Sequence, residues 1–119
     1  MSEREEAQIV LFDSDIYNLF KEQIRSDLYK VTEENWEALE EAINDTYSGF
    51  SGNLRKLHRL SKHEFRVCLL IKINIFPADM AKLTNHTKES ISATRRRLYE
   101  KVFLEKGNPK QWDDFILSL

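Results

Sequence analysis

The chain of 119 residues has one cysteine, two prolines and three glycines. With a single Cys68 an internal disulfide is excluded, and its place in an apolar run marks a small buried hydrophobe rather than a reactive thiol. The scarcity of Gly and Pro leaves few turns, and Glu, Lys, Leu and Ala abound, which predicts an all-α chain. No apolar run approaches the length of a transmembrane helix, and the acidic start is unlike a signal peptide, so a cytoplasmic protein without membrane contact is expected. No Gly-rich phosphate loop, paired carboxylates or nucleophile beside a base stands out. A non-enzyme without cofactor is expected. His58 and His63 lack a second ligand at metal spacing and read as surface residues, so no metal site is expected.

What is present is charge, unevenly divided. Residues 1–50 carry 4 basic and 13 acidic side chains; residues 51–119 carry 14 basic and 7 acidic. The halves have balances of −9 and +7 behind a net charge of −2. Such asymmetry points to a polyanion partner for the second half.

In chain order, Met1 to Leu11 is charged and then apolar and fits the trimmed end of a longer helix. Asp13-Ser14-Asp15 is a helix start, because short polar side chains cap free N–H groups. Ile16, Tyr17, Phe20, Ile24 and Leu28, with Leu19 alongside, predict a helix from about Ser14 to Tyr29. Its stripe either seals a core or pairs with a second copy. Thr32 caps the next helix, over 33–47, whose apolar face is Trp36, Leu39, Ile43 and Tyr47; Ser48-Gly49 stops it. Ser51 to Leu60 holds a short helix built on Leu54 and Leu57. Residues 1–59 are therefore read as an acidic helical extension of two or three amphipathic helices. The Trp36 face is expected to dock on the second half, because an exposed face of that size invites aggregation.

Residues 60–119 are read as the second domain. Ser61 and Glu64 have capping-box spacing and open a helix to about Ile73, with Phe65, Cys68, Leu69 and Ile71 or Lys72 following the turn. Pro77 suits a first helical position, and Met80, Ala81 and Leu83 continue a short helix. Thr84-Asn85-His86 is a turn, and Thr87 caps a longer basic helix. There Ile91, Leu98 and Val102 fall within about 40° of one another at ~100° per residue, a buried stripe. Opposite lie Ser92, Ala93, Arg96 and Arg97, with Lys88 and Lys101 near the ends. Small residues let the backbone approach a groove, and arginine bridges guanine or phosphate. Arg95 lies closer to the buried stripe, to support the helix or reach a flanking phosphate. Asn108 and Pro109 start a last helix with Trp112, Phe115, Ile116 and Leu119 inward and Asp113 and Asp114 outward as solubilising charges.

From Leu60 to Val102 the spacing resembles the LuxR-type (response-regulator output) DNA-binding domain. Leu60, Ser61 and Glu64 match its Leu-Ser/Thr-x-x-Glu start. Asp79-Met80-Ala81-Lys82-Leu83 matches its scaffold helix, and Ser90 to Val102 its reading helix. The family's usual Gly after the first helix falls at Asn74, which can adopt a left-handed turn. Its frequent Lys and His in the reading helix are Ser92 and Thr94 here, which shifts base reading onto Arg96 and its neighbours. The tail from Arg97 to Phe103, with Gly107, Pro109, Trp112-Asp113 and Phe115-Ile116, is similar to the C-terminal output region of large membrane-anchored sensory regulators.

The resemblance implies a four-helix helix-turn-helix unit and a sequence-specific transcription regulator acting in signal transduction. Its partners would be double-stranded DNA, a second copy on DNA and an upstream sensory region of a longer chain. Lys88, Ser92, Ala93, Arg95, Arg96, Arg97 and Lys101 are the expected DNA-binding set. The alternative is an interaction module of the same shape, binding RNA polymerase or a signalling partner through its acidic helices.

Overall fold

A computed structural model describes residues 1–26 and 30–119. Among the described residues the secondary structure is entirely helical. The helices are α1 (Glu3–Phe12), α2 (Asp15–Arg25), α3 (Glu33–Thr46), α4 (Phe50–Leu57), α5 (Lys62–Lys72), α6 (Pro77–Thr84), α7 (Lys88–Phe103) and α8 (Pro109–Ser118). They form two compact units, Met1–Ser51 and Gly52–Leu119.

In the N-terminal unit, α1, α2 and α3 pack on one another. The stretch from Met1 to Leu11 offers no clear periodic stripe; within it α1 starts at Glu3 with Ser2 as its cap, and the Ser2 hydroxyl accepts from the Glu5 N–H. Of α1 only Leu11 is buried, and Ile9 and Val10 are exposed. Ser14 caps α2 as its sequence predicts. Leu28 and Tyr29, the end of that expected helix, lie outside the described residues. Thr32 and Asn35 form a reciprocal capping box at the start of α3. Trp36, Leu39 and Ile43 are buried, and the Phe20 ring meets Trp36 edge-on at 5.0 Å. The α3 face thus finds cover in α1 and α2. Full burial of each such side chain is worth about 1.5–3 kcal/mol. Gln8 Nε2 donates to the Tyr47 hydroxyl at 3.0 Å and ties α1 to the end of α3.

In the C-terminal unit, α5 is the central helix, packed with α6, α7 and α8. Ser61 and Glu64 form the expected capping box. Sequence periodicity assigns α5 one buried face, but Val67 and Leu70 are buried together with Phe65, Cys68, Leu69 and Ile71. A helix covered on several sides has no polar face to reveal its period. Asn74 takes the left-handed conformation at φ 62°, which Asn adopts more readily than most residues, and Ile75 N–H closes the turn on the Leu70 carbonyl. Pro77 starts α6 at its first position. Asn85, again left-handed at φ 56°, ends α6.

Two cations are built into this core. Lys72 is buried, and its Nζ donates to the carbonyls of Ile116 and Leu117 at 3.3 and 3.1 Å. It thereby satisfies free carbonyls at the end of α8, where a cation also opposes the helix dipole. Arg95 is the other. Between α7 and α8, Gly107 lies under the Tyr99 ring, so closely that an added Cβ would sit 2.0 Å from Tyr99 Cδ1.

Candidate functional site

α7 is positioned by its two ends. At its start, the His86 N–H donates to the Ala81 carbonyl at 2.9 Å, which folds the turn tightly against α6. The Thr87 hydroxyl then accepts from the Ser90 N–H at 3.0 Å. At its end Leu104, left-handed at φ 56°, returns its N–H to the Glu100 carbonyl. Between these caps Ile91, Thr94, Arg95 and Leu98 are buried, while Val102 is only partly so.

The outer side carries most of the expected set. Lys88, Arg96, Arg97 and Lys101 are exposed along α7, spanning about 20 Å at ~1.5 Å per residue. Ser92 and Ala93 are half-buried beside them. Arg96 makes an i,i+4 contact with Glu100 at 4.0 Å; an exposed pair at that distance is worth little and leaves the guanidinium available.

Arg95 departs from this set. Its side chain is 7% exposed, and its Nε and terminal nitrogen donate to the two Asp113 carboxylate oxygens at 2.9 and 2.5 Å. It supports α7 against α8 and does not present itself for a flanking phosphate. Asp113 is corrected with it: the carboxylate turns inward as the partner of a buried guanidinium, whereas Asp114 pairs with Lys110 at the surface. The sequence signal was the position of Arg95, one turn after Ile91; nothing local marks Asp113, 18 residues on.

Two residues of α5 also border α7. Glu64 accepts from the Ser61 N–H at 2.8 Å and faces Lys101 Nζ at 3.7 Å. Burial pushes its carboxyl up, but the Ser61 N–H, Lys101, the Ser61 hydroxyl and Arg97 together outweigh this and hold it below the ordinary carboxylate value. His63 is not the surface residue its sequence suggests. It is half-buried and stacked on His86, ring centroids 3.8 Å apart and 20° from parallel. Burial first, then the charges of His86, Arg97 and Arg66, lower its pKa against the opposing pull of Glu64.

Among the described residues no group of three His, Cys, Asp or Glu could hold a metal ion. The Cys68 thiol, buried in α5, is pushed up to about 12 by desolvation against a weak contact with Trp112, which makes it a poor nucleophile at neutral pH. None of the described helices is long and apolar enough to cross a membrane. Comparison with protein-family models, with curated proteins and with solved structures finds no match to this chain.

Proposed function

We propose that the chain is a sequence-specific DNA-binding transcription regulator, a cytoplasmic output module resembling the LuxR-type helix-turn-helix domains, without catalytic activity or cofactor. The observation that carries this reading is the division of α7. One side is anchored by Ile91, Thr94, Arg95 and Leu98, and the other offers Lys88, Arg96, Arg97 and Lys101 after a tight turn from α6. An α-helix fits the major groove of B-DNA, and the second helix of such a pair is the one that enters it.

In this mechanism Arg96 meets base edges, with Ser92 and Ala93 allowing close approach. Arg97, Lys88 and Lys101 hold phosphates, and α6 braces the backbone. Arg95 belongs to the support of α7. One reading helix gives few base contacts, so two copies on two half-sites are expected on DNA, promoted by the duplex or by an upstream sensory region.

Selection from random duplexes, followed by binding at several salt concentrations, tests the reading. Arg96→Ala is expected to weaken specific binding by about 1–3 kcal/mol and to relax preference at one base position. Arg97→Ala is expected to weaken all sequences alike and to lower the salt slope by about one. Parental binding by both variants would remove α7 as the reader. The second reading, an interaction module, draws on the acidic face of α3 formed by Glu37, Glu40, Glu41 and Asp45. It predicts no salt-dependent duplex binding at micromolar protein.

A further inference from the structure

The cations on the exposed side of α7 do not all face the same kind of neighbour. Arg96 lies 4.0 Å from Glu100, whose side chain is 39% exposed and can rotate away. Lys101 is different. Its Nζ lies 3.7 Å from Glu64 Oε2, and the Glu64 side chain is only 11% exposed. Glu64 belongs to α5, where the capping box fixes its place. Its Oε1 accepts from the Ser61 N–H at 2.8 Å, while the Ser61 hydroxyl accepts from the Glu64 N–H at 3.1 Å. The dipole of α5 also favours a carboxylate in the first turn. Burial opposes its charge, but the Ser61 N–H and Lys101 outweigh burial, so Glu64 is ionised at neutral pH.

We propose that Glu64 is a resident counter-ion of Lys101 that limits how tightly the chain holds the phosphates of duplex DNA. The proposal rests on the duplex-binding reading above and adds to it an acidic residue outside α7 that sets the strength of binding.

The separation of the two groups carries the argument. At 3.7 Å the carboxylate acts on the ammonium through its charge but is too far to take a hydrogen bond from it. The lysine hydrogens stay available to a phosphate. A phosphate oxygen that accepts one of them at about 2.8 Å lies nearer to Glu64 than the Debye length of about 8 Å, so salt does not screen the two anions from each other. Glu64 cannot move off without uncapping α5, and it takes up no proton at neutral pH. The phosphate therefore meets the attraction of Lys101 and the repulsion of Glu64 together. Every duplex offers the same phosphates, so the restraint falls alike on all sequences and leaves discrimination to the base contacts.

The test uses the full chain and two duplexes of equal length, one recovered by selection and one unrelated, titrated at several salt concentrations. Glu64→Gln removes the charge and keeps a carbonyl oxygen for the Ser61 N–H. It is expected to bind both duplexes roughly threefold to tenfold more tightly near about 0.15 M salt, with a salt slope steeper by up to about one. Two controls are expected to bind like the parent. Ser61→Ala disturbs the same cap and keeps the carboxylate. Asp114→Asn makes the same change of net charge on α8, where the carboxylate is exposed beside Lys110. Circular dichroism checks that each variant is folded. Unchanged or weaker binding by folded Glu64→Gln would overturn the restraint and leave the proposed function standing. So would an equal gain in Ser61→Ala or Asp114→Asn, which would trace it to the cap or to net charge. A gain confined to the selected duplex would also overturn it, because phosphates are common to both. No duplex binding by the parent or by Glu64→Gln, even at low salt, would overturn both the restraint and the duplex-binding reading.

Discussion

The two units manage charge in opposite ways. The N-terminal half carries 13 acidic side chains against 4 basic ones, yet all the buried charged residues among those described, Glu64, Lys72 and Arg95, belong to the C-terminal unit. The first unit joins its helices through apolar stripes and neutral hydrogen bonds such as Gln8–Tyr47 and Asn44–Ser51. In the second, every buried charge holds part of the fold in place. Glu64 caps α5, Lys72 closes the end of α8, and Arg95 joins α7 to α8. Net charge therefore says little about where charge matters to the fold. The strongly acidic unit tolerates its charges in water, and the basic one depends on three of its own.

The largest expected effect tests that dependence. Asp113→Ala strips the partner from a buried guanidinium and should destabilise the C-terminal unit by about 3–5 kcal/mol in urea denaturation. The exposed Glu37→Ala in the other unit should change stability by no more than about 0.5 kcal/mol. Replacing both Arg95 and Asp113 by apolar residues should recover most of the loss, and failure to recover would show that the pair does more than neutralise itself.

Next in size is Lys72→Met, which keeps the apolar stem but leaves the Ile116 and Leu117 carbonyls without their cation. A loss of about 1–3 kcal/mol is expected, with faster amide exchange confined to the end of α8. Unchanged exchange there would refute the capping role.

The capping boxes of α3 and α5, one in each unit, give a matched pair. Ser61→Ala and Thr32→Ala should each cost about 1 kcal/mol. Read by hydrogen exchange, each should act within its own unit. If either substitution lowers protection equally in both units, they do not unfold separately.

The smallest effect concerns pH. His63 and Glu64 both titrate below their ordinary values in the folded chain. The unfolded chain then binds more protons, so stability falls as the pH falls. The His63 contribution is lost as the pH drops from 6.5 towards its folded value, and that of Glu64 as it drops below 4.5. The urea midpoint should decline in two stages, and His63→Phe should remove only the upper one.

Most helix starts were legible in the sequence because a cap is local: Ser14, Thr32, Ser61, Thr87 and Asn108 each find their donor three residues on. The α7 arginines could be sorted by angle alone, and Arg95 was separated from its neighbours that way. The partners that complete the picture lie far along the chain. Asp113 is 18 residues from Arg95, Ile116 is 44 from Lys72, and His86 meets His63 across the lengths of α5 and α6. No spacing rule reaches so far. α1, read only as the trimmed end of a longer helix, could not be bounded for a different reason, since a helix that buries only Leu11 leaves almost no periodic mark.

The contact of Tyr99 with Gly107 has a consequence for how this sequence can drift. Any side chain at 107 collides with the ring, so in a saturation library that position should accept only glycine. Gly52, with open space where its Cβ would be, should accept many residues. The restriction at 107 is conditional, because it belongs to the ring and not to the backbone. Once Tyr99 has become alanine, alanine at 107 should be admitted. The two changes are accessible in one order only: the aromatic must go first, and a lineage that alters the glycine first meets a barrier that its descendants would not.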